Sequence, residues 1–151
     1  MIFEDLIREG LIEKIPANLK RADKSIERAR KDLTTAKANL SIDEEWAYAI
    51  AYHGMLRAGR ALMLAEGYRP KGKDRHKTVV SFCGRILGEE FKKLVNNFDW
   101  MRRKRHDFIY EPERPIAKQE AEQALSDAQT FIEKIISLVK TKNPQKDLPI
   151  L

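Results

Sequence analysis

Cys83 is the only cysteine in these 151 residues, which excludes an internal disulfide framework and a thiolate-rich zinc site. Long apolar runs are missing too. Charge interrupts every stretch well short of the ~20 residues a membrane crossing needs, so no transmembrane helix is expected. The opening MIFEDLIREG is acidic and amphipathic, without the basic-then-apolar order of a secretory signal. Histidine is scarce: His53, His76 and His106 show no paired ligand spacing, so neither a metal site nor a cofactor is expected. No glycine-rich phosphate loop is followed by Lys and Ser/Thr. Strand-like alternation is nearly absent, as are solenoid-length repeats and low-complexity segments. The expectation left standing is a soluble, cytoplasmic chain, long enough for one domain with a sizeable core.

Helical spacing dominates what is present. Phe3, Leu6, Ile7, Gly10 and Leu11 predict a short first helix that Pro16 interrupts. From Ala17 to Leu40 the apolar positions (Leu19, Ala22, Ile26, Ala29, Leu33, Ala36, Leu40) alternate steps of three and four. That narrow stripe suits a close helical neighbour. Ser41 with Glu44 reads as a capping box opening a third helix, which Gly67 stops near Glu66. GYRPKGKDRH reads as a loop. A short helix carrying Val79, Val80, Cys83, Ile86 and Leu87 follows and turns at Gly88. Cys83 reads there as a buried small hydrophobe. The next helix runs from Glu89 through Phe91, Leu94, Phe98 and Met101 to Ile109, and Pro112 and Pro115 break it. A last helix carries Ala121, Ala124, Ala128, Phe131, Ile132, Ile135 and Val139. The fold expected is all-α: an antiparallel up-and-down bundle of four to five helices, one domain over 1–142 with a flexible tail over 143–151.

The net charge of +6 is unevenly placed. Residues 57–105 hold 14 Lys+Arg against 5 Asp+Glu, whereas the remainder is net −3. The dense sources are the loop (Arg69, Lys71, Lys73, Arg75, Lys77) and the run Arg102–Arg105. Such a field suits a polyanion such as RNA or a nucleotide; a solvated basic face is the plain alternative.

DWMRRKRHDFIYEP is the stretch that carries chemistry. Helical spacing groups Arg102, Arg105 and His106, with Asp107 and Tyr110 close by. Arg105 also prolongs the apolar stripe, so its guanidinium needs either a buried partner or a ligand-filled groove. A guanidinium fork matches phosphate oxygens, and an adjacent imidazole can move protons in phosphodiester cleavage. A phenol is almost wholly protonated near neutral pH, which makes Tyr110 a weak base. The structural alternative pairs Arg105 with a carboxylate of a neighbouring helix and lets Tyr110 plug the bundle end. A second cluster, AYHGMLRAGRALML, adds Arg60 and His53 as ligand-binding candidates, although His53 alone reads as a packed histidine. Its Gly54 and Gly59 imply close packing or docking of a partner.

These two clusters, in this order, resemble the HEPN superfamily of helical bundles, and most closely its UPF0332-like branch of small prokaryotic proteins. AYHGMLRAGRALMLAEGYRPK is similar to that branch's third-helix signature, His76 falls where members often carry a histidine, and RHDFIY is similar to the later motif. The resemblance spans about residues 18–138. It implies a nucleotide- or RNA-binding module, a homodimer, and partnership with a minimal nucleotidyltransferase in a toxin–antitoxin-like pair. Active members are metal-independent ribonucleases with an arginine, four to six residues, then a histidine. Arg105 matches the arginine, His106 takes the polar position after it, and Tyr110 stands where the histidine belongs. A ribonuclease with a variant site of Arg105, His106 and Tyr110 is the alternative reading, and a structural interaction bundle is the third.

Overall fold

The computed structural model describes residues 2–111 and 115–142, with backbone only at Phe108 and Ile109. The elements are α1 (Glu4–Arg8), β1 (Ile12–Lys14), α2 (Leu19–Asn39), α3 (Glu44–Glu66), β2 (Tyr68–Pro70), α4 (Arg75–Leu87), α5 (Lys92–Tyr110) and α6 (Lys118–Lys142). A 3-10 turn at Glu89–Phe91 leads into α5. The all-α bundle is as expected, with α2–α6 as its five long helices and α1 as a sixth, short one. The expected tail, 143–151, and Pro112 lie outside the described residues.

Helix α3 is the hub. Buried residues occur all round it, from Ala47 and Tyr48 to Met63 and Ala65, as a helix enclosed on every side requires. Helices α2, α4, α5 and α6 all pack on it. An added Cβ at Gly59 would lie 2.6 Å from Val79 Cγ1 and 3.0 Å from Cys83 Sγ, so this glycine lets α4 come close. Gly54 similarly faces Asp32 and Ile132. Both glycines are therefore used inside the chain, which removes the docking role allowed for them. The α2 stripe is likewise covered by α3 and α6, so it gives no support to a dimer.

Three local expectations are corrected. The Ser41–Glu44 capping box does not form. Residues 40–42 are taken up by a turn in which Ile42 N and Asp43 N donate to Asn39 O. Asp43 is then the first extended residue and caps α3, accepting from Trp46 N at 3.0 Å. The first helix stops at Arg8 instead of reaching Leu11, because Gly10 at φ 73° turns the chain into a strand. The expected loop after Gly67 is shorter, since Tyr68–Pro70 pairs antiparallel with β1 (Ile12 opposite Pro70, Lys14 opposite Tyr68) and α4 begins at Arg75. Three-residue strands fall below what alternation can reveal.

This N-terminal segment is stapled to α4. Phe3 stacks on Phe82 with centroids 4.3 Å apart, and Arg85 holds Asp5 and donates to Ile2 O at 2.8 Å. That hydrogen-bonded guanidinium lowers the Asp5 pKa to about 2. Cys83 is fully buried, as expected, and burial pushes its thiol up to about 12. Among the described residues no helix is long and apolar enough to cross a membrane.

Candidate functional site

Helix α5 is anchored on α3 and α6 along one side, and its first turns also meet the end of α4, where Val95 faces Gly84. Phe98 packs against Phe131 and Tyr52, and Asn97 Nδ2 donates to Asp127 Oδ2 at 3.1 Å. Its other side, rich in Arg, faces the start of α4. Between them opens a groove of about 680 Å³. Arg102, Arg103, Arg105, His106, Asp107 and Trp100 come from α5, while Asp74, Arg75, His76 and Lys77 come from the entry to α4. Five guanidinium or ammonium groups thus stand against two carboxylates.

Arg105 occupies the key position. It is half-buried, and its Nε is sealed from solvent without a hydrogen-bond partner. Its guanidinium carbon lies 5.8 Å from the Tyr52 ring centroid, a cation–π contact. Among the described residues no carboxylate neutralises it, so the expected internal ion pair is not found. Arg102 differs: its Nε donates to Asp99 Oδ1 at 2.9 Å, and Arg103 reaches Asp99 Oδ2 at 3.3 Å. Asp99 thus partly neutralises those two and fixes their position, leaving Arg105 as the guanidinium with unmet donor capacity.

Tyr52 joins the two walls. Fully buried on α3, it approaches His76 Nδ1 with its hydroxyl at 3.0 Å while its ring faces Arg105. Burial pushes the phenol up to about 12, so it keeps its proton. That proton needs an acceptor, and among the described residues His76 Nδ1 is the one in reach. Donation to Nδ1 places the proton of the neutral imidazole on Nε2. Burial first, then the charges of Arg60 and Arg105, lower the His76 pKa. His76 is therefore a neutral N–H donor at the groove. The first turn of α4 adds its amides: Asp74, at φ 54°, makes no side-chain cap. The positive end of this thirteen-residue helix, whose residues 75–77 line the groove, therefore carries no side-chain cap from Asp74.

The other candidates divide. His106 and Asp107 line the groove with Arg102 and Arg105. Tyr110, 71% exposed at the end of α5, does not line it, although its ring lies 4.6 Å from that of His106. It plugs no bundle end. His53 lies in a second groove of about 250 Å³ that Arg105 also lines, with Asp32, Arg57 and Trp46. Burial first, then Arg105 and Arg57, lower its pKa. Arg60 is exposed on an adjoining surface with Arg21 and Arg75. The basic region therefore extends past the central segment onto α2, through Arg21, Lys24 and Arg28. Tyr52 and the α4 entry were not placed in the site by sequence reasoning. Tyr52 and His76 stand 24 residues apart, and no spacing rule joins them. Among the described residues no three His, Cys, Asp or Glu side chains are grouped to hold a metal ion.

The model of the family described as HEPN domain matches residues 22–139. No curated protein and no solved structure matches the chain significantly.

Proposed function

The chain belongs to the HEPN domain family, and on that premise we propose that its α4–α5 groove receives a phosphate group of RNA or of a nucleotide. The observation that carries this reading is the half-buried guanidinium of Arg105, which lines the groove and which no carboxylate among the described residues neutralises. A partly desolvated guanidinium without a carboxylate is costly unless something else satisfies it, and phosphate oxygens match its donor fork. His76 Nε2, the open α4 amides and the surrounding cations supply further donors to the same ligand. Within this reading the chain is a module of the UPF0332-like branch, a homodimer, and the partner of a minimal nucleotidyltransferase.

Binding without turnover is the version the residues favour. Tyr110 takes the place of the family's histidine and stands outside the groove. Labelled RNA and labelled nucleotide, titrated into wild type and Arg105→Ala, test the proposal. A loss of at least about 10-fold and a shallower salt dependence are expected. Equal binding by both proteins, or binding by neither, overturns it.

One observation favours the ribonuclease alternative: His106 lines the groove beside Arg105 and contacts the Tyr110 ring. RNA cleavage by metal-free protein, abolished in His106→Ala or in Tyr110→Phe, would establish it over simple binding.

A further inference from the structure

Both tryptophans of the chain are exposed, Trp46 at 57% and Trp100 at 54%. Each lines a groove, and the two grooves share Arg105. Trp100 stands in the main groove, with the Arg103 guanidinium 5.7 Å from its ring centroid. Trp46 lies on one face of α3 with Ile50, His53 and Arg57, at successive helical turns. Arg57 is held there by Asp32 at 3.2 Å. Arg105 is therefore common to two grooves, each of which holds one exposed indole.

We infer that the two grooves form one path for a single-stranded polynucleotide, with a phosphate on Arg105 and flanking bases stacked on Trp100 and Trp46. This rests on Arg105 being a phosphate receptor, as proposed above. Cations alone would serve any polyanion, an acidic peptide included. An exposed indole in each of the two grooves that share this guanidinium selects ligands that carry planar rings between phosphates. A duplex keeps its base faces stacked internally and cannot offer them. A mononucleotide has one base and fills one groove only.

Intrinsic tryptophan fluorescence of the full chain, titrated with an RNA of about eight nucleotides, reads this directly. The comparison set is wild type, Trp46→Ala, Trp100→Ala, the two Trp→Phe variants and Arg105→Ala, with thermal melts as the folding control. A hairpin duplex and AMP are the competing ligands. Quenching of both indoles is expected, with each Ala variant weakening the single strand by about 5- to 100-fold and each Phe variant recovering most of it. Trp46→Ala should leave AMP affinity unchanged when AMP occupies the Trp100 side, or the converse.

An Ala variant that binds the oligomer within two-fold of wild type overturns the path. So does a duplex that binds as tightly as the single strand, or a Trp46→Ala variant that alters self-association without altering affinity. Loss of binding in Arg105→Ala with intact binding in the tryptophan variants keeps the phosphate site and removes the path. No effect of Arg105→Ala marks the failure of the underlying phosphate reading.

Discussion

Replacing Arg105 by methionine separates a ligand-binding arginine from an architectural one, because the two roles predict opposite changes in stability. Methionine keeps most of the aliphatic stem and removes the guanidinium. A buried donor without a partner costs about 1–3 kcal/mol, and Arg105 Nε is such a donor. Loss of the cation–π contact with Tyr52 costs about 0.5–2 kcal/mol in the other direction. Repulsion from Arg102, Arg103, Arg75 and Lys77 is also relieved. The net change lies near zero or slightly toward greater stability. For a chain of this size ~1 kcal/mol moves the melting temperature by about 2–4 °C, so a shift within about 3 °C of wild type is expected. Removing one member of a buried ion pair would instead cost about 3–5 kcal/mol and lower the melting point by about 6–20 °C. Ligand affinity should fall by at least about 10-fold in the same protein, since one charge-assisted hydrogen bond contributes about 1.5–3 kcal/mol. Differential scanning fluorimetry and an anisotropy titration read the two quantities. A melting point lowered by more than about 6 °C, with unchanged affinity, would refute the reasoning.

Three further outcomes are expected. An NMR pH titration should place the His76 midpoint below its ordinary value of 6.5, and Tyr52→Phe should raise it by removing the hydroxyl that favours the neutral ring. Because the folded-state pKa is depressed, the stability linked to neutral His76 is complete above the ordinary value and is lost as pH falls from there through the folded-state midpoint. Gly59→Ala should destabilise by about 1–3 kcal/mol in urea unfolding, since its Cβ meets Val79 Cγ1 at 2.6 Å, and Val79→Ala should relieve most of that loss. Asp5→Asn should melt below wild type at neutral pH. Arg85 lowers the Asp5 pKa to about 2, so its contribution is complete above pH ~4 and shrinks as pH falls through about 2. A gap as wide at pH 2 as at neutral pH would exclude the Arg85 contact as its source.

The N-terminal staple bears on the site as well as on stability. Residues 2–17 lie outside the family match, yet they hold β2 and the body of α4. Glu13 meets Arg69 across the two strands, and Phe3 covers Phe82. The entry to α4, which carries His76 to the groove, is thereby tied from both ends.

Much of this protein could be read from its linear order. Periodic apolar residues identify α2 to α6, because burying one face of a helix demands that spacing wherever the helix lies. Gly67 marked the end of α3 because a left-handed cap needs no Cβ, and the burial of Cys83 followed from its apolar neighbours. Arg105 stood out because it prolongs the stripe of Phe98 and Met101, a local pattern that needs no partner to be seen. Local rules reached their limit where a residue's meaning depends on a distant one. Ser41 and Asp43 both qualify as caps, and the turn after α2 chose between them. Three-residue strands show no alternation until they meet each other.

The functional groove belongs to that second class. Sequence determined that α5 carries a dense positive charge and that one guanidinium falls on its inner stripe. Only packing decided that this guanidinium finds no carboxylate among the described residues, that Tyr52 on α3 meets both it and His76 on α4, and that Tyr110 stays outside the groove. Helical periodicity reports which face of a helix is covered, since that is set by neighbours within a turn or two. Which side chains meet across helices depends on how closely the helices approach, and here the missing Cβ of Gly59 allows that approach.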